Sequence, residues 1–417
     1  MHQRLSFWFY RILFRLSEEA PTSWLQHIVN MRLRRILSLA REIPFWQNRI
    51  HNSSPHTLGQ VIWVAKSDFQ DTPLNYINHA VVPNRRLRRS TSGSTGVPFI
   101  FYRGKDESPE HYALALRGYR WAGRRQRDRV VQTFSSHAAN PPFWGIFPHD
   151  NPSDLDWSRF ILYQMLKGNH STLLFSFPSF VIPLSEFWDQ DKPQISLRSL
   201  ILVGEHLMPS ARTRLERIFK APVYLGYATR EFGLIAQECD RREGMHLFVE
   251  SVLLEIVNSE GIPLPTGETG EVLLTSLMNT TMPLIRFRIG DRGKFITTPC
   301  PCGKTLPRIE IIGRETALLP LSGGKTLYLV EIQRALMESF GNLIMEFQLY
   351  QETLEKLTLY IVALGHADLN LKDRIAKTLT SITNNEPLIL VEIVDSLPER
   401  GLLKRAFFSK LGHPMAR

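Results

Sequence analysis

The stretch from Ser199 to Leu225 constrains the fold most. Ser199 to Val203 (SLILV) is a short apolar run suited to a buried strand, Pro209 to Phe219 (PSARTRLERIF) has helical patterning, and Ala221 to Leu225 (APVYL) is a second strand. Strand, helix and strand at this pitch predict an α/β sheet with parallel members. From Phe248 the pattern turns to β, with strands at 253–257 and 271–275 on either side of the turn-rich Gly261 to Gly267. Past Gly313 the pattern changes again: helix over 328–337, strand over 357–362, helix over 369–382 and a last strand over 387–393. A chain of 417 residues is long for one hydrophobic core. The expected organisation is a large N-terminal α/β body with mixed sheets over 1–313 and a small C-terminal α+β cap domain over 314–417.

Near the N-terminus, Met31 to Arg41 places Leu33, Ile36, Leu37 and Ala40 on one helical face, a pattern that Pro44 ends. Leu5 to Leu16 is aromatic and aliphatic but interrupted by Arg11 and Arg15. It has no signal-peptide architecture, and no stretch of the chain approaches the roughly 20 apolar residues of a transmembrane helix. An amphipathic helix docked on the body is the plainer reading; contact with a membrane surface is the sharper one.

The hydrophobic fraction of 43% and charged fraction of 22% exclude collagen, long coiled coil and bulk disorder. Three cysteines cannot make a disulfide framework, so a reducing, cytoplasmic setting is expected. Fifty basic against forty acidic residues give a charge of +10, which attracts anions without naming them. Arginines cluster at 85, 86, 88 and 89 and at 124, 125, 127 and 129; for the second cluster a solvated face is the preferred reading. There is no helix-turn-helix signature, finger spacing or RNA-binding aromatic motif, so nucleic acid is not an expected partner.

Three segments carry chemistry. Ser92-Gly93-Ser94-Thr95-Gly96 is a loop of small residues and hydroxyls that lets backbone amides approach a phosphate closely. It lacks the Gly-Lys-Ser/Thr ending of the common nucleotide-binding loop, and its position inside a globular stretch argues against a linker. Gly226-Tyr227-Ala228-Thr229-Arg230-Glu231 follows a strand, and an acid there beside a hydroxyl is suited to hold magnesium near phosphates. In Pro283 to Asp291, an Asp after a glycine turn can accept both hydroxyls of a ribose.

In this order and spacing, the three segments resemble the adenylate-forming ligases, most of all the phenylacetate–CoA ligase branch and its short capsule-cluster relatives. Leu202-Val-Gly204-Glu205-His206 is similar to the Gly-Glu element that lines the family's adenine pocket. Phe177-Pro178-Ser179, Ile43-Pro44-Phe45-Trp46 and Gly313-Arg314 also look like recurrent family segments, the last like the start of the hinge. The resemblance runs from about residue 31 onward and implies a two-step reaction. A carboxylate attacks the α-phosphate of ATP, giving an acyl-adenylate and pyrophosphate; a thiol, usually of coenzyme A, then displaces AMP. It further implies that residues 92–96 cradle the β- and γ-phosphates, Glu231 holds Mg²⁺ and Thr229 touches the α-phosphate. Asp291 would bind the ribose and Arg314 the nucleotide or the hinge, with Tyr227, Gly204 and Glu205 lining the nucleotide pocket. Partners are then a small carboxylic acid and coenzyme A or another acyl acceptor, and a homodimer is compatible. Transfer to an amine or a carrier protein, and a non-catalytic nucleotide- or acyl-binding protein on the same scaffold, are the alternatives.

Cys239, His246, Cys300 and Cys302 make a separate case. Cys-x6-His followed by Cys-x-Cys supplies three thiolates and an imidazole, a closed tetrahedral set of the structural zinc kind, against the plainer reading of three unrelated thiols and a surface histidine. Some relatives of phenylacetate–CoA ligase carry zinc at matching residues, so the resemblance favours a non-catalytic zinc.

The chain departs from the family pattern at Val97, where the loop commonly has Lys or Thr, at Ala228 and at Glu315-Thr316. The family also places a lysine near the C-terminus that bridges the acyl carboxylate and the α-phosphate. Lys404 is the candidate, but if Phe407-Phe408-Ser409 sets the register, Leu403 occupies that position. Aromatics between Phe134 and Phe147, with His137 and His149, are candidates for lining an acyl pocket.

Overall fold

The computed structural model describes the chain except for residues 1, 51–53, 55–56, 70–72, 91–98, 134–144, 147–171, 192–195, 315–317, 325, 365–369, 384–386, 396, 398–406 and 410–417. The architecture is α/β, with a large mixed sheet and a small C-terminal sheet. The chain falls into two compact units: Met1–Gln126 with Tyr224–Ile311, and Arg127–Val223 with Ile312–Arg417. Among the described residues no helix is long and apolar enough to cross a membrane.

The first unit opens with helices His2–Leu16, Thr22–Ala40 and Pro44–Ile50. In the second, Leu25, Ile28, Val29, Leu33, Ile36, Leu37 and Ala40 are all buried at spacings of one, three and four, one continuous stripe. The helix therefore begins nine residues before Met31, at Thr22, because the stripe already runs through Leu25, Ile28 and Val29 and only Pro21 interrupts it. Pro44 does close that pattern, but it also opens the next helix, where a missing amide costs nothing. Trp46 of this short helix is fully buried and donates its indole N–H to the Pro283 carbonyl at 3.2 Å.

The N-terminal helix docks as the amphipathic reading expects: Phe14 is buried and Phe7 stacks on Tyr112 of helix Ser108–Trp121. A buried ion pair pins it. Arg117 donates to both oxygens of Glu250, at 2.8 and 2.9 Å, the Ser17 hydroxyl donates to the same carboxylate, and the guanidinium lies over the Phe248 ring at 4.3 Å. Burial pushes the Glu250 pKa up, but Arg117 and the Ser17 hydroxyl outweigh it and hold the carboxyl below its ordinary value.

The strands of this unit lie in the order Val252–Val257, Gly270–Ser276, Phe287–Ile296, Arg308–Arg314, Met245–Leu247, Gly233–Glu238 and Val223–Thr229. The first pair, the two β runs expected on either side of Gly261–Gly267, is antiparallel, in register Val252↔Ser276. A separate antiparallel hairpin joins Arg86–Ser90 to Ile100–Gly104, with Ser90 opposite Ile100.

In the second unit Gly145–Ile146, Arg129–Thr133, Thr172–Ser176 and Leu197–Val203 form a parallel run. Helix Pro178–Asp191 makes the crossover between the last two, the βαβ connection that parallel strands need. The predicted helix Pro209–Phe219 is present over those residues, followed by strand Val223–Thr229. The small sheet has the order Leu388–Ile393, Lys356–Ala363, Ile344–Thr353 and Phe407–Ser409. Helices Leu329–Phe340 and Leu371–Ile382 accompany it, and strands Ile344–Thr353 and Phe407–Ser409 are the members that the sequence patterning did not reveal, the second lying beyond the strand expected to be the last.

Candidate nucleotide site and cysteine–histidine cluster

Strand Val223–Thr229 extends four residues beyond its predicted end, so Tyr227 and Thr229 lie on the strand and Glu231 lies in the turn to Gly233–Glu238. Gly233 closes that turn with φ of +76°, a conformation that glycine adopts without steric cost, and a Cβ there would meet the His111 ring at 3.4 Å. The Thr229 hydroxyl accepts the Phe232 amide at 3.2 Å, which fixes the turn from inside. From outside, Arg103 donates to the carbonyls of Arg230 and Glu231, each at 2.9 Å, and Arg230 donates to the Ser90 carbonyl at 2.8 Å. Glu231 is buried, and its carboxylate lies 3.4 Å from the half-exposed Lys66 ammonium.

Asp291 stands elsewhere than predicted. Rather than following a turn, Gly290-Asp291 lies within strand Phe287–Ile296, where the register against Gly270–Ser276 shifts and Gly290 has φ of +82°. This bulge re-aims the side chain. Asp291 is buried and accepts a hydrogen bond from the Tyr227 hydroxyl at 2.7 Å. Two of the predicted nucleotide residues, far apart in sequence, thus meet in the first unit, Tyr227 on the strand that leads into the Glu231 turn and Asp291 on Phe287–Ile296. Tyr227→Phe removes a hydrogen bond to a charged group and is expected to lower stability by about 1.5–3 kcal/mol, measured by denaturant unfolding.

Arg286 of the same predicted motif has a structural task. It is fully buried, donates to the carbonyls of Gly59 (3.0 Å), Val61 (2.6 Å) and Gly261 (2.5 Å), and pairs with Glu255 at 3.1 Å. In the second unit, Glu205 accepts both the Ser179 amide and its hydroxyl, each at 2.7 Å. It therefore caps the first turn of helix Pro178–Asp191 from a distance, favourable at the positive end of the helix dipole. Gly204 before it has φ of +78°. Arg314 ends strand Arg308–Arg314. Ser92, Gly93, Ser94, Thr95, Gly96 and Lys404, and the aromatics between Phe134 and Phe147 with His137 and His149, lie outside the described residues. The stems flanking 92–96 are the paired strands Arg86–Ser90 and Ile100–Gly104.

No sequence motif marks Arg103 or Lys66, and the only trace of Arg103's task is its place on the strand after the Ser/Gly loop. Behind Arg103 sits Glu107, which accepts the Thr280 amide at 3.1 Å and whose second oxygen has no hydrogen-bond partner. Burial pushes its pKa up to about 7, against the lowering effect of Arg103 and backbone amides. Because the folded pKa lies above the ordinary carboxylate value of about 4.5, its ionisation costs more in the folded state. That penalty is absent below the unfolded pKa and accumulates as pH rises from about 4.5 to about 7. Glu107→Gln is expected to flatten this fall of stability, read from denaturant midpoints at pH 5 and pH 8; an unchanged slope contradicts it.

The four predicted metal ligands come together, with all donor atoms of Cys239, His246, Cys300 and Cys302 within 4.8 Å of one another. The Cys239 and Cys300 sulfurs are 3.7 Å apart, and Cys302 Sγ is 3.3 Å from His246 Nε2. A tetrahedral zinc with Zn–S of about 2.3 Å separates two sulfur ligands by about 3.8 Å, so the spacing fits. His246 Nδ1 lies 3.0 Å from the Leu306 carbonyl, and donation there leaves Nε2 to face the sulfurs, the tautomer a metal needs. Burial first, with the neighbouring Cys302 and Cys300 thiols, pushes the Cys239 thiol up to about 12, and burial first, with Lys304, Arg308 and Arg117, pushes His246 down to about 4; a divalent cation among them favours the thiolates and the neutral imidazole. This Cys₃His cluster could hold zinc.

No family model matches the chain. A phenylacetate–coenzyme A ligase of Thermus thermophilus is 22% identical over 358 residues, 77% of each chain. The phenylacetate–coenzyme A ligase of Escherichia coli is 23% identical over 334 residues, 73% of this chain and 75% of that one. Among solved structures, 2-hydroxyisobutyryl-CoA ligase in the postadenylation state with R3-HIB-AMP superposes with a TM-score of 0.76 at 20% identity, covering 95% of this chain and 91% of the other. The same ligase with 2-HIB-AMP and CoA in the thioesterification state gives a TM-score of 0.64 at 20% identity and the same coverage. The chain belongs to the adenylate-forming ligase superfamily, as a distant homologue of the phenylacetate–CoA ligases.

Proposed function

We propose that the protein is an ATP-dependent, AMP-forming carboxylate ligase that makes an acyl-adenylate and passes the acyl group to a thiol, that of coenzyme A. What supports this reading most is the match across 77% of the chain to a phenylacetate–coenzyme A ligase. In the first step a carboxylate oxygen bonds to the α-phosphorus of ATP and pyrophosphate leaves. In the second a thiolate bonds to the acyl carbon and AMP leaves, taking the electron pair of the acyl–phosphate bond.

In this reading Glu231 would hold Mg²⁺, which neutralises phosphate charge, and Lys66 would exchange its contact with Glu231 for one with the nucleotide. Thr229 would donate to the α-phosphate, Asp291 would accept the ribose hydroxyls in the orientation that Tyr227 fixes, and Gly204 and Glu205 would border the adenine. The loop Ser92–Gly96 would cradle the β- and γ-phosphates. Arg314 would act at the hinge between domains 1–313 and 314–417, and Lys404 would bridge the reacting carboxylate and α-phosphate. Such chemistry is mainly positioning and charge stabilisation. A non-catalytic zinc in the Cys₃His cluster and a reducing, cytoplasmic setting that keeps its thiols unpaired belong to the same reading.

The acceptor is tested by product mass. With Mg-ATP and an accepted acid, coenzyme A should give the acyl thioester with one AMP per thioester. An acyl-adenylate that coenzyme A leaves untouched, while an amine or a carrier-protein thiol discharges it, would move the protein to those acceptors.

A further inference from the structure

Helix His2–Leu16 is apolar on two faces. Phe7 stacks on Tyr112, Tyr10 on Phe14, and Phe14 is buried, so this side belongs to the core. The other side presents Trp8, Phe9, Ile12 and Leu16, which are 56%, 60%, 60% and 61% exposed. At about 100° per residue these four span an arc of roughly 100°, and the exposed Arg11 and Arg15 occupy the arc of roughly 60° beside it. Arg11 lies over the Trp8 ring at 4.6 Å. The helix sequence contains Arg4, Arg11 and Arg15 and no acidic residue.

A contiguous exposed apolar stripe of this kind marks an interaction surface. Its charge decides the partner. Pairing with a second copy would bring arginines face to face with no acid on the helix to match them. A hydrocarbon–water boundary accepts the aromatic and aliphatic side chains on one side and leaves the guanidinium groups among head groups on the other. With 15 residues the helix is shorter than the roughly 20 needed to span a bilayer, so it would lie in the interface.

We propose that this face seats the protein on an anionic lipid surface, Trp8, Phe9, Ile12 and Leu16 entering the acyl boundary and Arg11 and Arg15 pairing with head-group anions. The test is flotation of the full chain with vesicles of phosphatidylcholine alone and of phosphatidylcholine with phosphatidylserine. Wild type should float with the phosphatidylserine vesicles and less so as salt is raised. Arg11→Gln with Arg15→Gln should weaken that binding by roughly 30-fold, the combined effect of two surface arginines. Trp8→Glu with Ile12→Glu should abolish it, with a melting temperature that shows the protein still folded; if that pair unfolds the protein, the arginine pair alone decides. Wild type that stays unbound to either vesicle overturns the proposal. So does equal binding to both, or a wild-type dimer in sedimentation that Trp8→Glu with Ile12→Glu dissociates while vesicles capture nothing.

Discussion

Replacing Cys300 and Cys302 together by serine is expected to release one equivalent of zinc and to lower the melting temperature by roughly 10 °C or more. The size follows from the position of the cluster. Cys239 follows strand Gly233–Glu238, His246 lies on Met245–Leu247, and Cys300 and Cys302 lie between strands Phe287–Ile296 and Arg308–Arg314. A metal here would cross-link chain segments about 60 residues apart, and structural zinc contributes about 10–16 kcal/mol in peptides that fold around it. In a unit that already has a core, a loss of about 4 kcal/mol is the modest expectation, which at about 2–4 °C per kcal/mol gives the stated shift. Two of the cross-linked segments adjoin the Glu231 turn and the Asp291 strand, so ATP affinity should fall with stability. Elemental analysis below half an equivalent in the wild type, with an unchanged melting temperature in the variant, contradicts the zinc.

Glu231→Ala is expected to lower acid-dependent pyrophosphate release by about 10²–10³-fold, the usual effect of removing one group that stabilises transition-state charge. The backbone of the turn is held independently of this carboxylate, by Arg103 at two carbonyls and by Thr229 at the Phe232 amide. A change in melting temperature of less than a few degrees should therefore accompany the loss of rate, which separates a chemical role from a structural one. Lys404→Ala in the same assay reads the C-terminal register. Loss of release places Lys404 at the bridging position, and retention leaves that position to Leu403.

Much of this molecule is legible in sequence where residue type and spacing act locally. Helix Pro209–Phe219 appears over its predicted residues because proline starts it and the helical pattern is unbroken. The Cys₃His cluster is legible because the chain has only three cysteines and all of them converge. What sequence hides is whatever depends on a partner strand. Asp291 reads as a residue after a turn, but a bulge against Gly270–Ser276 carries it through a strand to Tyr227. Glu205 looks like a pocket residue, and nothing in its own segment announces that Ser179 will take both carboxylate oxygens. Arg103 and Arg286 are ordinary arginines in sequence; their weight comes from backbone carbonyls supplied by distant segments.

Adenylation of a carboxylic acid is the step on which the proposed function rests. The most direct measurement is pyrophosphate release from Mg-ATP with hydroxylamine as trap, across aryl, short-chain and fatty acids. Release that requires one class of acid, yields its hydroxamate and disappears in Glu231→Ala is the expected result. No acid-dependent release from protein that binds ATP would contradict that function and leave a nucleotide-binding protein on a ligase scaffold.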